Sequence, residues 1–281
     1  MQGCGKLFVI GTPIGNLDDI TVRQLETLRN IDFICAEDTR VTVKLLNRFE
    51  IRKPMISYHE HSPRHVAETV ISRLLGGENG GIVSDAGMPC ISDPGEDLIK
   101  LCYKNNIEVT VIPGPSAVIS ALAVSGLDTK RFVFEGFLSV TKKQRFAHLE
   151  SLRNEKRTLI FYEAPHKLLR TLADFLEYFG DRRISLCREL TKVYEEVLRF
   201  NLSEAVEYYR DKTPKGEFVL VVEGKEDISE ENEVSLEEAL SQVAELVENG
   251  IKTALACKNV AKTCGFKKSE LYSAFMIDKR F

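Results

Sequence analysis

GGIVSDAGMPCISDPG, residues 80–95, decides how this sequence folds. Ile82-Val83 is a short apolar strand candidate that runs into Ser84-Asp85-Ala86-Gly87-Met88-Pro89, and a second acidic turn, Ser92-Asp93-Pro94-Gly95, opens the next helical pattern. Gly and Pro fix unusual backbone geometry, while Ser and Asp bring hydrogen-bonding groups at a density that a plain connector does not need. At the carboxyl end of a sheet strand such a run makes a rigid polar rim around a small ligand. Helix capping by Ser92 or Asp93, with Pro94 near the first helical position, accounts for the second turn by itself. It leaves Asp85 to Pro89 unexplained.

Working outward, the same layout recurs on both sides. Residues 6–10 form an apolar run ending in Gly11-Thr12-Pro13-Ile14-Gly15-Asn16, followed by a helix that Asp18 or Asp19 can cap. The loop has neither GxGxxG nor GxxxxGK[ST] spacing, so neither a dinucleotide fold nor a P-loop is supported. A second strand, 31–36, ends in Glu37-Asp38-Thr39-Arg40; here Asp38 or Thr39 suits a helix cap, with Arg40 in water. Further strands are expected at 54–58 and 108–112, the last running into Pro113-Gly114-Pro115-Ser116-Ala117. Five strand–helix alternations in about 125 residues imply a mainly parallel sheet covered on both faces. The carboxyl ends of parallel strands share one edge, so the loops after Ile10, Ala36, Val83 and Ile112 are expected to converge.

Beyond a hinge at 126–130 the pattern changes. Strands are expected at 132–134, 157–162, 184–190, 194–200 and 216–222, and the second ends in Glu163-Ala164-Pro165-His166-Lys167 before an amphipathic helix over 168–179. Strands outnumber helices, which favours a mixed, partly antiparallel sheet. Residues 226–233 are acidic and suit a linker; three helices with concentrated Lys follow, broken at Gly250 and Gly265 in a helix-turn-helix outline. The expected domains are 1–125, 126–225 and 226–281.

The totals agree with an ordinary globular chain: 281 residues, 43% hydrophobic and 28% charged, with no span apolar enough for a membrane helix. A net charge of −4 argues against a surface that is wholly a nucleic-acid footprint, without excluding a local basic patch. Seven Cys at irregular spacing contain no CxxC pair, and no signal-peptide pattern is read at the start, so reduced thiols and a cytoplasmic location are expected. His59, His61 and His65 lack the partners of a zinc site, and no metal is expected.

Small polar loops with few fixed cations suit a ligand that mixes adenine, ribose and an amino-acid group. Asp85 can hold an ammonium or a ribose hydroxyl, and the 113–117 loop with Ala164-Pro165 can shape an apolar slot for a base. The residues by themselves reach a nucleotide-like cofactor and no further.

Six motifs then occur in register: Gly11-Thr12-Pro13-Ile14-Gly15-Asn16-Leu17; Ala36-Glu37-Asp38-Thr39-Arg40; Ser84 to Pro89 with Ser92-Asp93-Pro94-Gly95; Pro113-Gly114-Pro115-Ser116-Ala117; Phe134-Glu135-Gly136-Phe137; and Phe161-Tyr162-Glu163-Ala164-Pro165-His166-Lys167. Together they resemble the bacterial small-subunit ribosomal RNA methyltransferase I family, of the tetrapyrrole (corrin and porphyrin) methylase superfamily, over essentially the whole chain. The resemblance implies two α/β domains with the cofactor cleft between them plus a small helical C-terminal segment. It also implies S-adenosyl-L-methionine as methyl donor, a homodimer, and 2'-O-methylation of a cytidine ribose in the decoding region of 16S rRNA within the small ribosomal subunit. Relatives acting on tetrapyrroles typically carry a GxGPG-like first loop, which this chain lacks. Met88 stands where Thr is common, and Lys167 where Arg is common, exchanging a bidentate fork for a point charge.

On this resemblance the donor is expected to meet Thr12, Pro13 and Gly15 in the first loop. Asp85, Ala86, Gly87, Met88 and Pro89 form the second contact; Pro113, Ser116 and Ala117 the third; Tyr162, Ala164 and Pro165 the fourth. A ribose hydroxyl is a poor nucleophile and needs a proton acceptor, for which Asp38, Glu163 and His166 are the candidates. Glu163 stiffening its loop and His166 packing on the next helix are the plainer readings. Arg40 and Lys192 are candidate phosphate contacts, and Lys142, Lys143, Arg145, Lys262, Lys267 and Lys268 a positive surface for RNA. A tetrapyrrole methyltransferase of the same fold, or an RNA- or nucleotide-binding protein without turnover, are the alternatives.

Overall fold

The computed structural model describes residues 3–226, 236–264 and 266–278, without the side chains of Lys262, Thr263, Ile277 and Asp278. The described chain has two compact units, Met1–Lys225 and Glu226–Phe281.

The first unit opens with strand and helix in alternation: β1 (Leu7–Ile10), α1 (Val22–Asn30), β2 (Phe33–Ala36), α2 (Thr39–Arg48), β3 (Met55–Ser57), α3 (Arg64–Leu75), β4 (Gly80–Val83), α4 (Glu96–Lys104), β5 (Val109–Ile112) and α5 (Ala117–Ser125). All five strands are parallel, in the order β3-β2-β4-β1-β5. Helices on both faces bury Leu7, Phe33, Val70 and Leu98 on one side and Ile10, Ile34, Leu46 and Ile112 on the other. Two caps differ from expectation. Asp18 and Asp19 lie in a single 3-10 turn, and α1 begins at Val22 because Thr21 and Gln24 form a reciprocal capping box. Gly95, not Ser92 or Asp93, precedes α4, which leaves the Asp93 carboxyl available to the loop.

The second sheet contains β6 (Phe132–Phe137), β7 (Thr158–Glu163), β8 (Arg183–Arg188), β9 (Glu196–Asn201) and β10 (Phe218–Val222), with α6 (Lys142–Leu152), α7 (Leu168–Phe179) and α8 (Leu202–Tyr209) between them. Its order is β6-β7-β10-β8-β9; only the β6–β7 pair is parallel, so the sheet is mixed as expected. One face carries α6, α7 and α8 over a core of Leu149, Phe161, Leu172, Phe175 and Leu220. The other face is covered by α5, through Val118, Ala121 and Leu122 against Ile160, Cys187, Val219 and Val221. α5 follows β5 of the first sheet and buries one face, Val118, Ala121 and Leu122, on the second, while Ile119 and Val124 on its other side stay exposed. The helix therefore joins the two sheets.

The second unit is a three-helix cluster of α9 (Leu236–Glu248), α10 (Thr253–Cys264) and α11 (Lys268–Asp278). Ala239, Val243, Ala256, Cys257, Val260, Leu271 and Phe275 fill its centre. Most of the acidic stretch over 226–233, the expected break at Gly265 and the side chain of Lys262 lie outside the described residues.

Candidate functional site

In the first sheet β1 lies beside β4, yet the chain leaves them in opposite directions, toward β2 and toward β5. This is a topological switch point, where the loops after two neighbouring strands part and leave a crevice. The loops that border it are bonded together. Thr12 N donates to Gly87 O at 2.8 Å, Gly87 N donates to Thr12 O at 3.1 Å, and the buried Thr12 hydroxyl donates to Ser84 O at 3.2 Å. Gly87 makes this bridge at φ +84°, a conformation that side chains resist. The loop after β5 closes in from the other side: a Cβ on Gly11 would lie 2.8 Å from Gly114 Cα and 2.8 Å from Met88 Sδ. Sequence reasoning missed Gln24. Its buried amide donates to Gly11 O at 2.6 Å, and the Thr21-x-x-Gln24 spacing is the signal that could have found it.

The second sheet supplies the facing wall. Asn16 N donates to the Thr191 hydroxyl at 3.0 Å, and Gly15 packs on Leu190, Thr191 and Lys192. Gly136, at the β6 bulge, abuts the Ser92 hydroxyl. Six residues other than glycine have positive φ among the described residues: Glu50 and Asn106 just beyond helix ends, and Cys90, Ser92, Glu189 and Thr191 in the loops lining this crevice. Each such residue costs about 1–3 kcal/mol, and such strain collects where geometry serves a site. A cavity of about 390 Å3 opens beside the loops, lined by Ile14, Asp19, Thr21, Pro113, Gly114, Pro115, Ser120 and Thr191. The Asp19 Oδ2 there is buried and has no hydrogen-bond partner among the described residues.

Carboxylates dominate the crevice. Asp85 Oδ1 accepts from Asp38 N at 3.1 Å, and Glu37 Oε2 accepts from Asp85 N at 3.2 Å. Burial first raises the carboxyls of Glu37 and Asp85 above their ordinary range; repulsion from Asp85 and Asp38 adds to it at Glu37, and repulsion from Asp38 adds to it at Asp85. Asp93 is pushed up to about 6 by burial and then by Glu37, against a hydrogen bond from Ser84. Tyr162, packed edge-on to Phe134 at 5.0 Å, has its phenol pushed up to about 12 by burial and then by Asp93. Tyr162, at the end of β7, also packs at 5.4 Å on Phe137 of β6, next in sequence to the Gly136 that abuts Ser92 of the loop after β4.

The expected site residues thus divide by position. Thr12 pairs with Gly87 and Gly15 packs on the Leu190–Lys192 turn, with Pro13 between them in the same loop; Met88 lies against Gly11; Pro113, Ser116 and Ala117 lead from β5 into the joining helix; Asp85, Ala86 and Pro89 belong to the loop after β4; Ala164 and Pro165 follow Tyr162. Asp38 is the N-cap of α2 and holds Arg40 at 2.6 Å, and the guanidinium pulls its carboxyl down to about 2. Arg40 remains largely in water. Glu163 is buried at 4% exposure, accepting from Ala164 N at 2.9 Å and from the Thr171 hydroxyl, so it stiffens its loop. His166 is exposed and makes no hydrogen bond among the described residues.

Two expected RNA contacts sit poorly for that task. Arg145 is only 3% exposed and spends its guanidinium on Asp174 at 2.5 Å and on Thr171 at 2.9 Å. Its neighbours Lys142 and Lys143 are exposed; the helical period turns one residue of the three into the core. Lys192 donates to Glu189 and Glu217, both at 2.9 Å. In the second unit Lys267 and Lys268 are exposed.

Comparison with known proteins agrees with this architecture. Residues 6–206 match the family of Tetrapyrrole (Corrin/Porphyrin) Methylases. A protein of Halalkalibacterium halodurans named ribosomal RNA small subunit methyltransferase I is 46% identical over 273 residues, 96% of this chain and 94% of that one. A protein of the same name from Thermotoga maritima is 49% identical over 222 residues, which cover all of that protein and 79% of this chain. Among solved structures, uroporphyrin-III C-methyltransferase from Thermus thermophilus, complexed with S-adenyl homocysteine, has the same fold, with a TM-score of 0.55, 14% identity and coverage of 79% and 98%. This chain belongs to the ribosomal RNA small subunit methyltransferase I family of the tetrapyrrole methylases.

Proposed function

We propose that the chain is an S-adenosyl-L-methionine-dependent methyltransferase that 2'-O-methylates a cytidine ribose in the decoding region of 16S rRNA. The observation that carries this reading is the bonded crevice at the switch point, closed by the ends of β7 and β8. Its chemistry fits the donor. S-Adenosylmethionine carries a sulfonium and an ammonium, and Glu37, Asp85 and Asp93 crowd the crevice while the nearby Arg40 is engaged by Asp38. The unpartnered Asp19 oxygen suits a hydroxyl or amine. No lysine lies in the loops after β1, β4 or β5, so a polyphosphate fits less well.

Thr12, Pro13, Gly15, Asp85 to Pro89, Pro113, Ser116 and Ala117 would hold the donor from one side, and Tyr162, Ala164 and Pro165 from the other. When bound, it supplies an electrophilic methyl group. The chain's own task is to align the ribose oxygen with that group, exclude water and take up one proton. Asp38 is too acidic for proton uptake and Glu163 too enclosed. His166, exposed beyond β7, is the acceptor this reading favours. RNA would be gripped by Lys142 and Lys143 and by the lysines of the second unit, Lys262, Lys267 and Lys268. The enzyme would act in the cytoplasm as a homodimer on the small subunit. The two sheets form one unit of about the length of the shorter relative, so the reaction is assigned to residues 1–225.

Small subunits from cells lacking this gene, incubated with the protein and labelled donor, should yield labelled 2'-O-methylcytidine on nucleoside mapping. Label that enters only a tetrapyrrole, or no RNA, would refute the reading.

A further inference from the structure

A second concavity, of about 230 Å3, lies at the end of β8 and takes its walls from Arg188, Glu196, Tyr208, Tyr209, the loop over 212–215 and Phe218. Three cations border it against one carboxylate. Lys212 and Lys215 are exposed and enter no ion pair among the described residues; Lys212 Nζ stands 3.0 Å from the Tyr208 ring centre. Arg188 donates from Nε to Lys215 O at 2.6 Å and from Nη1 to Glu196 at 3.3 Å, leaving Nη2 without a hydrogen bond among the described residues. The lysines are therefore carried on a loop that Arg188 pins through the Lys215 carbonyl, with Nη2 of the guanidinium still open to an acceptor.

This concavity shares a frame with the crevice. Glu189 N donates to Glu217 O at 3.0 Å, and Glu217 N returns a bond to Glu189 Oε1 at 2.9 Å, tying the lysine loop to the turn that ends at Thr191. Thr191 lines the larger cavity. Only Glu189 and Leu190 lie between it and Arg188, so the two are at most about 11 Å apart along the chain. Lys192, by contrast, is neutralised by two carboxylates.

We propose that Arg188, Lys212 and Lys215 hold successive backbone phosphates of the RNA strand flanking the methylated nucleotide, one to each lysine, with Tyr208 and Pro214 against the sugar or base between them. The proposal rests on the RNA reading of the crevice and adds a site to it.

The test is the salt dependence of small-subunit RNA binding by the full chain carrying Lys212→Gln and Lys215→Gln. A control of equal charge change carries Lys100→Gln and Lys104→Gln, both exposed on α4. Loss of two contacts to single-stranded RNA should lower the slope of log affinity against log salt by about 1.4. Between 50 and 200 mM salt the wild type should then lose about sevenfold more affinity than the variant. Donor uptake by calorimetry, which reports folding, should stay unchanged in both. An unchanged slope, or an equal fall in the control, overturns the site while leaving RNA methylation intact. A wild type that neither binds nor methylates RNA overturns both.

Discussion

Asp174→Ala should be among the most damaging single truncations outside the crevice. Asp174, on α7, holds Arg145, which is on α6 and only 3% exposed. From Arg145 the bonds run to the Thr171 hydroxyl, then to Glu163, then to the Ala164 amide at the start of the 164–167 loop. Truncating Asp174 leaves a guanidinium enclosed without its counter-charge, a loss of about 3–5 kcal/mol. In a unit of this size each kcal/mol moves the midpoint by about 2–4 °C, so unfolding should fall by about 6–20 °C. The chain has no Trp, and seven of its eight Tyr lie in residues 1–225, with Tyr272 the exception. Near-ultraviolet circular dichroism therefore follows the relevant unit. Replacing both partners, Arg145→Met with Asp174→Leu, removes the stranded charge and should recover most of the loss. A shift below about 3 °C for Asp174→Ala, or a double variant as unstable as the single one, would refute this account of the pair.

Further outcomes follow from the crevice and the tail. Gly11→Ala drives a methyl group into the Gly114 backbone and Met88, so the loops must part; donor uptake by calorimetry should weaken at least about tenfold, and unchanged uptake would detach this junction from the donor. The Asp93 carboxyl is raised to about 6 when folded, so the folded state binds the extra proton between about pH 4 and 6, and stability falls as pH rises through that window. Asp93→Asn should flatten this decline, raising the melting temperature at pH 7 relative to wild type more than at pH 4; equal effects at both pH values would contradict it. Deleting residues 226–281 should leave donor uptake intact and weaken small-subunit RNA binding, since unit 1 is compact by itself. Undiminished RNA binding by filter retention would remove the tail from the grip.

Local chemistry made much of the molecule legible in advance. Alternating apolar runs and helical periods fixed five parallel strands and then a mixed sheet, because each pattern matches the layer its residues must bury. The dense Gly, Pro, Asp and Ser of the loops after β1, β4 and β5 marked a polar rim, because parallel strands deliver those loops to one edge. Side-chain partners were not legible, because they depend on elements far apart in the chain. Arg145 and Lys142 share a short basic run, yet one lies against Asp174 and the other is exposed. Glu163 read as a candidate base but is enclosed by Thr171 and its own loop. Thr191, a residue between strands with no sequence signal, meets Asn16 across 175 positions. The sequence by itself determined the layers and the loop chemistry, since both follow from periodicity and backbone preference. Only the tertiary structure decided which carboxylates crowd one crevice, which cations are already spent and which strained turns face each other, since burial and charge proximity arise when the sheets meet.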